Sequence, residues 1–342
     1  MVLVIGGAFS GRHDVANRIL SLKKEKRLFS DVYDVTEKDC DEFFLEQQKI
    51  LDTDSFKRNV IERISSFSVV VATEMGCGIV PLSKEEREKR EKNGKLNIFL
   101  AREAAAVVLV VSGIAHVIKG RSLEKAVNAP LLALFRHGKT LSNSEKRFAG
   151  GVSDVPLSEE GEKCVFLSRE ALFSRTKGYQ EDVRQAILNP KEIFVSPMIR
   201  AVKTAEILFP LAKKNQIEDF REMKMGLFEN MTHSELVLGK YADGTQSKEN
   251  ATLYQSWLDS NGKNAPPSSP TFPSESLSDF LNRTALSFRK IIFDSNQIVI
   301  VFVAHGGVQM SLCSQFFFDS SKENPFRWQT ENADFRFGAL SL

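Results

Sequence analysis

The chain has 342 residues, 42% hydrophobic and 26% charged, with 46 basic against 44 acidic side chains and a formal net charge of +2. This composition excludes disordered, collagen-like and small disulfide-stapled classes and leaves room for about two domains. Charges this closely balanced give no overall field toward nucleic acid or an anionic membrane, so any phosphate-binding power is local.

The opening apolar run, Met1 to Ile5, is too short for a signal peptide and lacks its basic flank. The longest apolar stretch, Ala104 to Ile118, is interrupted by Ser112, Gly113 and His116 and falls short of the roughly 18 to 20 residues a membrane span requires. Cys40, Cys77, Cys164 and Cys313 are far apart and form no CxxC pair, which suggests reduced thiols and neither zinc nor disulfides. The expectation is a cytoplasmic protein with no membrane span and no nucleic-acid partner.

Short fully apolar runs recur along the chain: Val2 to Ile5, Val69 to Ala72, Val107 to Val111, Leu131 to Phe135, Ile193 to Val195 and Ile298 to Ala304. Each leads into glycine or a polar turn and then a helical pattern, as in parallel strands buried on both faces, so the fold class is α/β. The segment Gly120 to Pro130 reads as the domain junction, with a boundary near residue 125: an N-terminal domain over 1–124 and a second over 125–342.

The first strand runs into Gly6-Gly7-Ala8-Phe9-Ser10-Gly11-Arg12-His13, which has the GxxxxGK[ST] spacing and the strand-to-helix context of a P-loop. Arg12 replaces the lysine and His13 the magnesium-binding hydroxyl. Backbone amides from Gly6 to Gly11, with Arg12, can cradle the phosphates of ATP or GTP. The same loop also reads as a tight turn without a ligand. Further on come Ala72-Thr73-Glu74-Met75-Gly76-Cys77-Gly78-Ile79-Val80-Pro81, then Arg90, Gly94, Asn97, Val110 to Ile114 and Lys119. Glu74 in this stretch suits either a substrate or metal contact or a loop-holding role.

Together these segments resemble adenosylcobinamide kinase/adenosylcobinamide-phosphate guanylyltransferase over residues 1 to about 120. The resemblance implies a P-loop-like parallel sheet and cobinamide or a nucleotide as ligand. That family carries a guanylylated histidine between the two motifs, and here no histidine lies between His13 and His116. A domain that has lost kinase and guanylyltransferase turnover is the expectation. Residues 82–95 alternate in charge, which gives i,i+4 pairs on a solvated helix.

After the strand Leu131 to Phe135 the chain reads Arg136-His137-Gly138-Lys139-Thr140-Leu141-Ser142-Asn143, then Arg147, Gly150, Asp154 to Leu157 and Gly161. Phe194 to Ala201 follows, with Ser196 placed to cap a helix, Pro197 in its first turn, Arg200 beside its positive end and Thr204 beyond. Then come Arg221 to Glu229 and, closing a buried strand, Val303-Ala304-His305-Gly306-Gly307. The stretch Asn261 to Ser276 reads as a surface loop before a helix capped by Ser276. His116 and His233 have no such company and read as structural.

From about residue 131 onward this string resembles the histidine phosphatase superfamily, the phosphoglycerate-mutase-like proteins, which implies a three-layer α/β/α fold. Arg136, His137 and His305 directly follow apolar strands, and ligands in open α/β sheets bind beyond the strands' carboxyl ends. Arg136 and Arg200 can clamp the non-bridging oxygens of a phosphomonoester through charge-assisted bonds. His137 suits the nucleophile, one ring nitrogen attacking phosphorus while the other donates to a backbone carbonyl, and the intermediate is a phosphohistidine. The matching family positions imply His305 as a second donor and Asn143 as a further hydrogen bond. Thr140 either touches phosphate or caps local backbone. Glu222 is the expected general acid, in preference to Glu229: the family carries tryptophan before its second glutamate and glycine after it, where this chain has Phe228 and Asn230. A carboxyl near other acids or partly buried has the raised pKa this role needs. The chemistry requires no metal.

A histidine phosphatase joined to a cobinamide-kinase-like domain points to assembly of the cobalamin nucleotide loop, with α-ribazole-5′-phosphate as substrate. A broad phosphomonoesterase and a phosphoglycerate mutase are the alternatives for the second domain, and a non-catalytic binding module is the alternative for the first.

Overall fold

A computed structural model describes residues 1–22, 32–75 except 53–58, 80–120, 123, 127, 130–179, 181–295, 297–316 and 329–339. The expected motif residues Gly76, Cys77, Gly78 and Ile79, and most of the Gly120–Pro130 junction, lie outside them.

The first sheet has the order β2-β3-β1-β4-β5, built from β1 (Val2–Gly6), β2 (Val32–Asp34), β3 (Val69–Thr73), β4 (Ala106–Val111) and β5 (Ile114–Lys119). All neighbours pair in parallel except β5, which returns antiparallel along β4. Alternation sends Leu3, Val70 and Val107 to one face, where they meet Phe43, Ile64 and Leu100 from α2 (Glu37–Asp52), α3 (Asn59–Ser65) and α4 (Lys84–Glu103). Val2, Val4, Val69 and Val108 go to the other face, against Val15 and Ile19 of α1 (Arg12–Leu20). Burial on both faces explains why these strands are apolar at every position. Leu123 and Val127 also pack on this side, which carries the first core past residue 125.

The charge-alternating stretch forms the exposed start of α4, capped by Ser83 and laced by the i,i+4 pairs Lys84–Glu88, Glu85–Lys89 and Glu91–Lys95.

The second sheet has the order β10-β6-β9-β7-β8, from β6 (Leu131–Arg136), β7 (Glu192–Val195), β8 (Lys213–Gln216), β9 (Val299–Ala304) and β10 (Phe335–Ala339). Only β10 runs antiparallel to its neighbour. One face of β6 and β9 packs on α6 (Glu159–Arg175) and α8 (Ile199–Leu208). The other packs on α11 (Leu277–Asp294) and α12 (Gly306–Phe316). This gives three layers. The remaining helices are α5 (Leu141–Ser144), α7 (Glu181–Leu188), α9 (His233–Val237) and α10 (Lys248–Asp259). Ser276 caps α11 in a capping box with Asp279, as its sequence signature indicates. Among the described residues no helix is long and apolar enough to cross a membrane.

Candidate active site

Register brings the expected histidines together. Parallel pairing sets Arg136 opposite Ala304 and Val195 opposite Val303, so His137, His305 and Ser196 follow three adjacent strands at the same edge. The His137 and His305 rings sit 5.1 Å apart between centroids, and both side chains are buried.

His137 Nδ1 lies 2.7 Å from the Gly138 carbonyl, which can only accept, so Nδ1 carries the proton and Nε2 keeps its lone pair. Burial, then the charges of Arg200 and Arg136, hold the His137 pKa well below its ordinary value, and the ring is neutral. His305 Nε2 is 2.7 Å from Ser196 Oγ. That oxygen also accepts the Met198 amide at 3.4 Å, and with a second lone pair and its own proton it can pair with either tautomer of His305. Burial and Arg200 lower the His305 pKa as well.

Ser196 therefore does not cap the following helix. The residue at the cap is Met198, and the Ile199 amide is taken at 2.8 Å by Asp154 from another loop. A carboxylate at this position complements the positive helix end and releases Ser196 to orient His305.

Arg200 is fully buried, and its two terminal nitrogens donate to the carbonyls of Ser153 at 3.0 Å, Gly150 at 3.1 Å and Ala149 at 3.3 Å. Arg136 donates through Nη1 to the Thr330 carbonyl at 2.5 Å. Arg136 Nε, Arg200 Nε and His305 Nδ1 are buried and have no hydrogen-bond partner in the protein. Buried polar groups without partners are costly, and these three beside His137 make this a candidate anion site.

The two glutamates separate clearly. Glu222 is half-buried and lines a 260 Å³ cavity, with Oε1 accepting the Met223 amide at 2.9 Å and Oε2 the Gly307 amide at 3.0 Å. Glu229 is fully buried, and its Oε1 accepts the amides of Val152 at 2.8 Å and Ser153 at 2.6 Å. It braces the loop whose carbonyls hold Arg200. Burial pushes its pKa up.

Asn143 lines the same cavity, while its Oδ1 completes a capping box with Thr140. The Thr140 hydroxyl is fully buried, donates to Asn143 and accepts the Asn143 amide, so it caps α5. The cavity walls are Phe148, Trp257, Met223, Met225, Leu277 and Met310, none of which the sequence patterns single out. Arg147 is the cation among its described lining residues and is paired with Glu145 and Glu235. The excursion from Tyr241 to Pro273 supplies Trp257, Asn261 and Gly262 to the wall. His233 bonds Tyr254, whose ring stacks on Trp257, and His116 lies on the exposed strand β5; neither lines the cavity.

Residues 132–336, more than half of the chain, match the family model of the Histidine phosphatase superfamily (branch 1). The chain belongs to this superfamily. As a histidine phosphatase it is an enzyme of phosphomonoester chemistry. It is 30% identical over 190 residues to a 2,3-bisphosphoglycerate-dependent phosphoglycerate mutase of Tropheryma whipplei, covering 51% of this chain and 77% of the relative. A Hydrogenobaculum protein of the same name is 25% identical over 214 residues, 56% of this chain and 79% of that one. Among solved structures, the alpha-ribazole phosphatase from Shigella flexneri superposes with a TM-score of 0.46 at 18% identity, over 60% of this chain and 89% of that one. Residues 38–118 match the Cobinamide kinase / cobinamide phosphate guanyltransferase family model, so the histidine phosphatase domain is fused to a cobinamide-kinase-like one.

In that first domain Gly11 adopts φ 81°, a left-handed conformation that glycine takes without strain, where the loop enters α1. The Arg12 guanidinium folds back onto the loop, donating to the Gly7 carbonyl at 2.7 Å and Thr73 Oγ1 at 3.1 Å. His13 Nε2 lies 2.8 Å from Asp34. Where a magnesium nucleotide needs a free cation and a hydroxyl, this loop has a guanidinium bound to its own backbone and an imidazole paired with a carboxylate. These residues do not fit that ligand.

Proposed function

We propose that the histidine phosphatase domain hydrolyses α-ribazole-5′-phosphate through a phosphohistidine on His137. The observation that carries the chemistry is the pinned, neutral His137 ring beside the buried Nε–H groups of Arg136 and Arg200, which lack protein partners. A phosphoryl dianion supplies acceptors for Arg136, Arg200 and His305, whose donors are oriented before the substrate arrives. His137 Nε2 attacks phosphorus and the ester oxygen leaves with a proton from Glu222. Water, deprotonated by the same carboxylate, then attacks the phosphohistidine and releases phosphate.

The substrate assignment rests on the fused cobinamide-kinase-like domain and on the cavity beside Glu222. Its aromatic and thioether walls suit a leaving group that carries a flat apolar ring. A phosphoglycerate carboxylate asks instead for a free cation, and Arg147, the cation among the described lining residues, is paired with two glutamates. The first domain, with Arg12 and His13 satisfied internally, acts as a non-catalytic module for cobinamide or a related ligand. A cytoplasmic setting with reduced Cys40, Cys164 and Cys313 fits this reading.

The test is phosphate release from α-ribazole-5′-phosphate and from 3-phosphoglycerate by the wild-type chain and by His137→Ala. Preference for the ribazole ester, abolished in the variant, is expected. Equal rates on both esters would leave a general phosphomonoesterase, and activity surviving in the variant would remove His137 as nucleophile.

A further inference from the structure

The two domains meet through a buried ion pair that leads straight to the phosphatase site. Glu62 on α3 of the first domain is 5% exposed, and its carboxylate accepts Arg175 Nη2 at 2.7 Å. Arg175 ends α6 of the second domain. Its other terminal nitrogen donates to Asp334 at 2.9 Å, and its guanidinium lies 4.1 Å from the centre of the Phe335 ring. A second contact closes the same boundary, since a Cβ on Gly178 would stand 3.3 Å from the Arg63 side chain.

Asp334 belongs to a short strap that enters β10, and several polar groups of this strap hold Arg136 and His137. The Thr330 carbonyl holds the Arg136 side chain and the Asp334 carbonyl holds the Arg136 amide at 3.0 Å. The Ala333 amide at 3.0 Å and Asn332 Nδ2 at 3.3 Å both donate to the His137 carbonyl. Ala333 takes φ 62°, a conformation an alanine keeps only when its surroundings enforce it. Its surroundings hold it on every side: its amide donates to His137, its carbonyl accepts Ser168, and the neighbouring Asp334 carboxylate accepts Arg175.

We propose that Glu62 is a positioning residue for the phosphatase reaction: acting through Arg175 and Asp334, it fixes the strap that sets Arg136 and His137 against the phosphoryl group. The kinase-like domain is then a working part of the phosphatase, whatever ligand it binds. Arg175 is planar and forked, which lets one side chain bridge two carboxylates from two domains; without Glu62 it retains only Asp334 and the Phe335 ring and is free to tilt. The inference rests on the reading of His137 as nucleophile and Arg136 as clamp.

The experiment uses the full chain with p-nitrophenyl phosphate as substrate and orthovanadate as a mimic of the transferring phosphoryl group. Glu62→Leu keeps the volume and removes the anchor. A fall in kcat of about tenfold, a similar weakening of vanadate inhibition and a KM within about twofold are expected. Glu62→Gln, which keeps an acceptor oxygen for Arg175, should recover most of both. A residue that merely holds the domains together would lower the melting temperature and leave kcat and vanadate inhibition of the folded protein unchanged, and that result overturns the proposal. If Glu62→Leu fails to fold, Asp334→Ala cuts the same link on the strap side, and wild-type constants in that variant overturn it equally. His137→Ala is run alongside: surviving activity would remove the site reading and the coupling together, whereas loss there with wild-type values in Glu62→Leu removes the coupling alone.

Discussion

Glu222 accepts the backbone amide of Gly307 at 3.0 Å, so the candidate proton donor is tethered to the first turn of α12, two residues after His305. The contact is tight as well as specific: a Cβ at Gly307 would lie 2.2 Å from Glu222 Oε1. Gly307→Ala should therefore displace the carboxyl without altering its chemistry. For esters with alkyl leaving groups kcat/KM, which reports phosphoryl transfer to His137 and not the shared hydrolysis of the intermediate, should fall about 100-fold, as in Glu222→Gln, because the alkoxide leaves unprotonated. For p-nitrophenyl phosphate, whose leaving group needs no proton, the loss should be much smaller. Equal losses on both esters would take the acid role away from Glu222.

Glu229 offers the opposite contrast. Gln at this position keeps a carbonyl oxygen for the amides of Val152 and Ser153, so Glu229→Gln should stay within about threefold of wild-type kcat with the alkyl esters that expose Glu222→Gln. Truncation to Ala removes the brace of the Arg200 loop and should destabilise the domain by about 1–3 kcal/mol, read as a shift in the denaturant midpoint.

Both site histidines have folded-state pKa values depressed by burial and by the flanking arginines. Between the folded value and the unfolded value near 6.5 the unfolded chain binds more protons, so stability is fully present above about pH 6.5 and declines as pH falls below it. Replacing His305 by Gln should flatten the dependence of melting temperature on pH between about 5 and 6.5. The same depression keeps His137 nucleophilic, and kcat/KM should show no acid limb at the pKa of an ordinary histidine. An inflection there would mean that the nucleophile titrates as if exposed.

Trp257 stands edge-on to Phe148 at 6.2 Å in the cavity wall. Trp257→Leu should raise KM for α-ribazole-5′-phosphate about tenfold and change that for p-nitrophenyl phosphate little, since the small ester does not fill the cavity. Parallel losses on both substrates would place the aromatic wall outside the leaving-group site.

The first domain's loop gives a gain-of-binding experiment. Magnesium ATP or GTP at millimolar concentration should leave the wild-type melting temperature unchanged, and the pair Arg12→Lys, His13→Ser, which frees the cation and restores a hydroxyl, should make it rise with nucleotide. A rise in the wild type, or none in the double variant, would show that Arg12 and His13 are not what blocks the loop.

The parts of this molecule that are local in sequence are the ones its sequence announces. Strands buried on both faces carry an unbroken apolar signal, and Arg136, His137 and His305 could be read because each directly follows such a strand. The edge strand Lys213–Gln216 is polar throughout, and an edge needs no apolar run, so it left no pattern to find. Ser196 carried a real local signal for a helix cap and was diverted by tertiary contact, because Asp154 takes the Ile199 amide from a distant loop and Ser196 pairs with His305. Trp257 and Phe148 become neighbours only through packing. The strap from Thr330 to Asp334 holds the site with backbone groups, which every residue possesses and no motif can display.

Arg136 and the Thr330 carbonyl that holds it are 194 residues apart, and β10, which closes the sheet beside β6, follows directly after that strap. On the ribosome, Arg136 and His137 emerge long before the strap groups that hold them. A nascent chain that stops short of Thr330 lacks these holds, so the proposed phosphate clamp is assembled only once β10 is delivered.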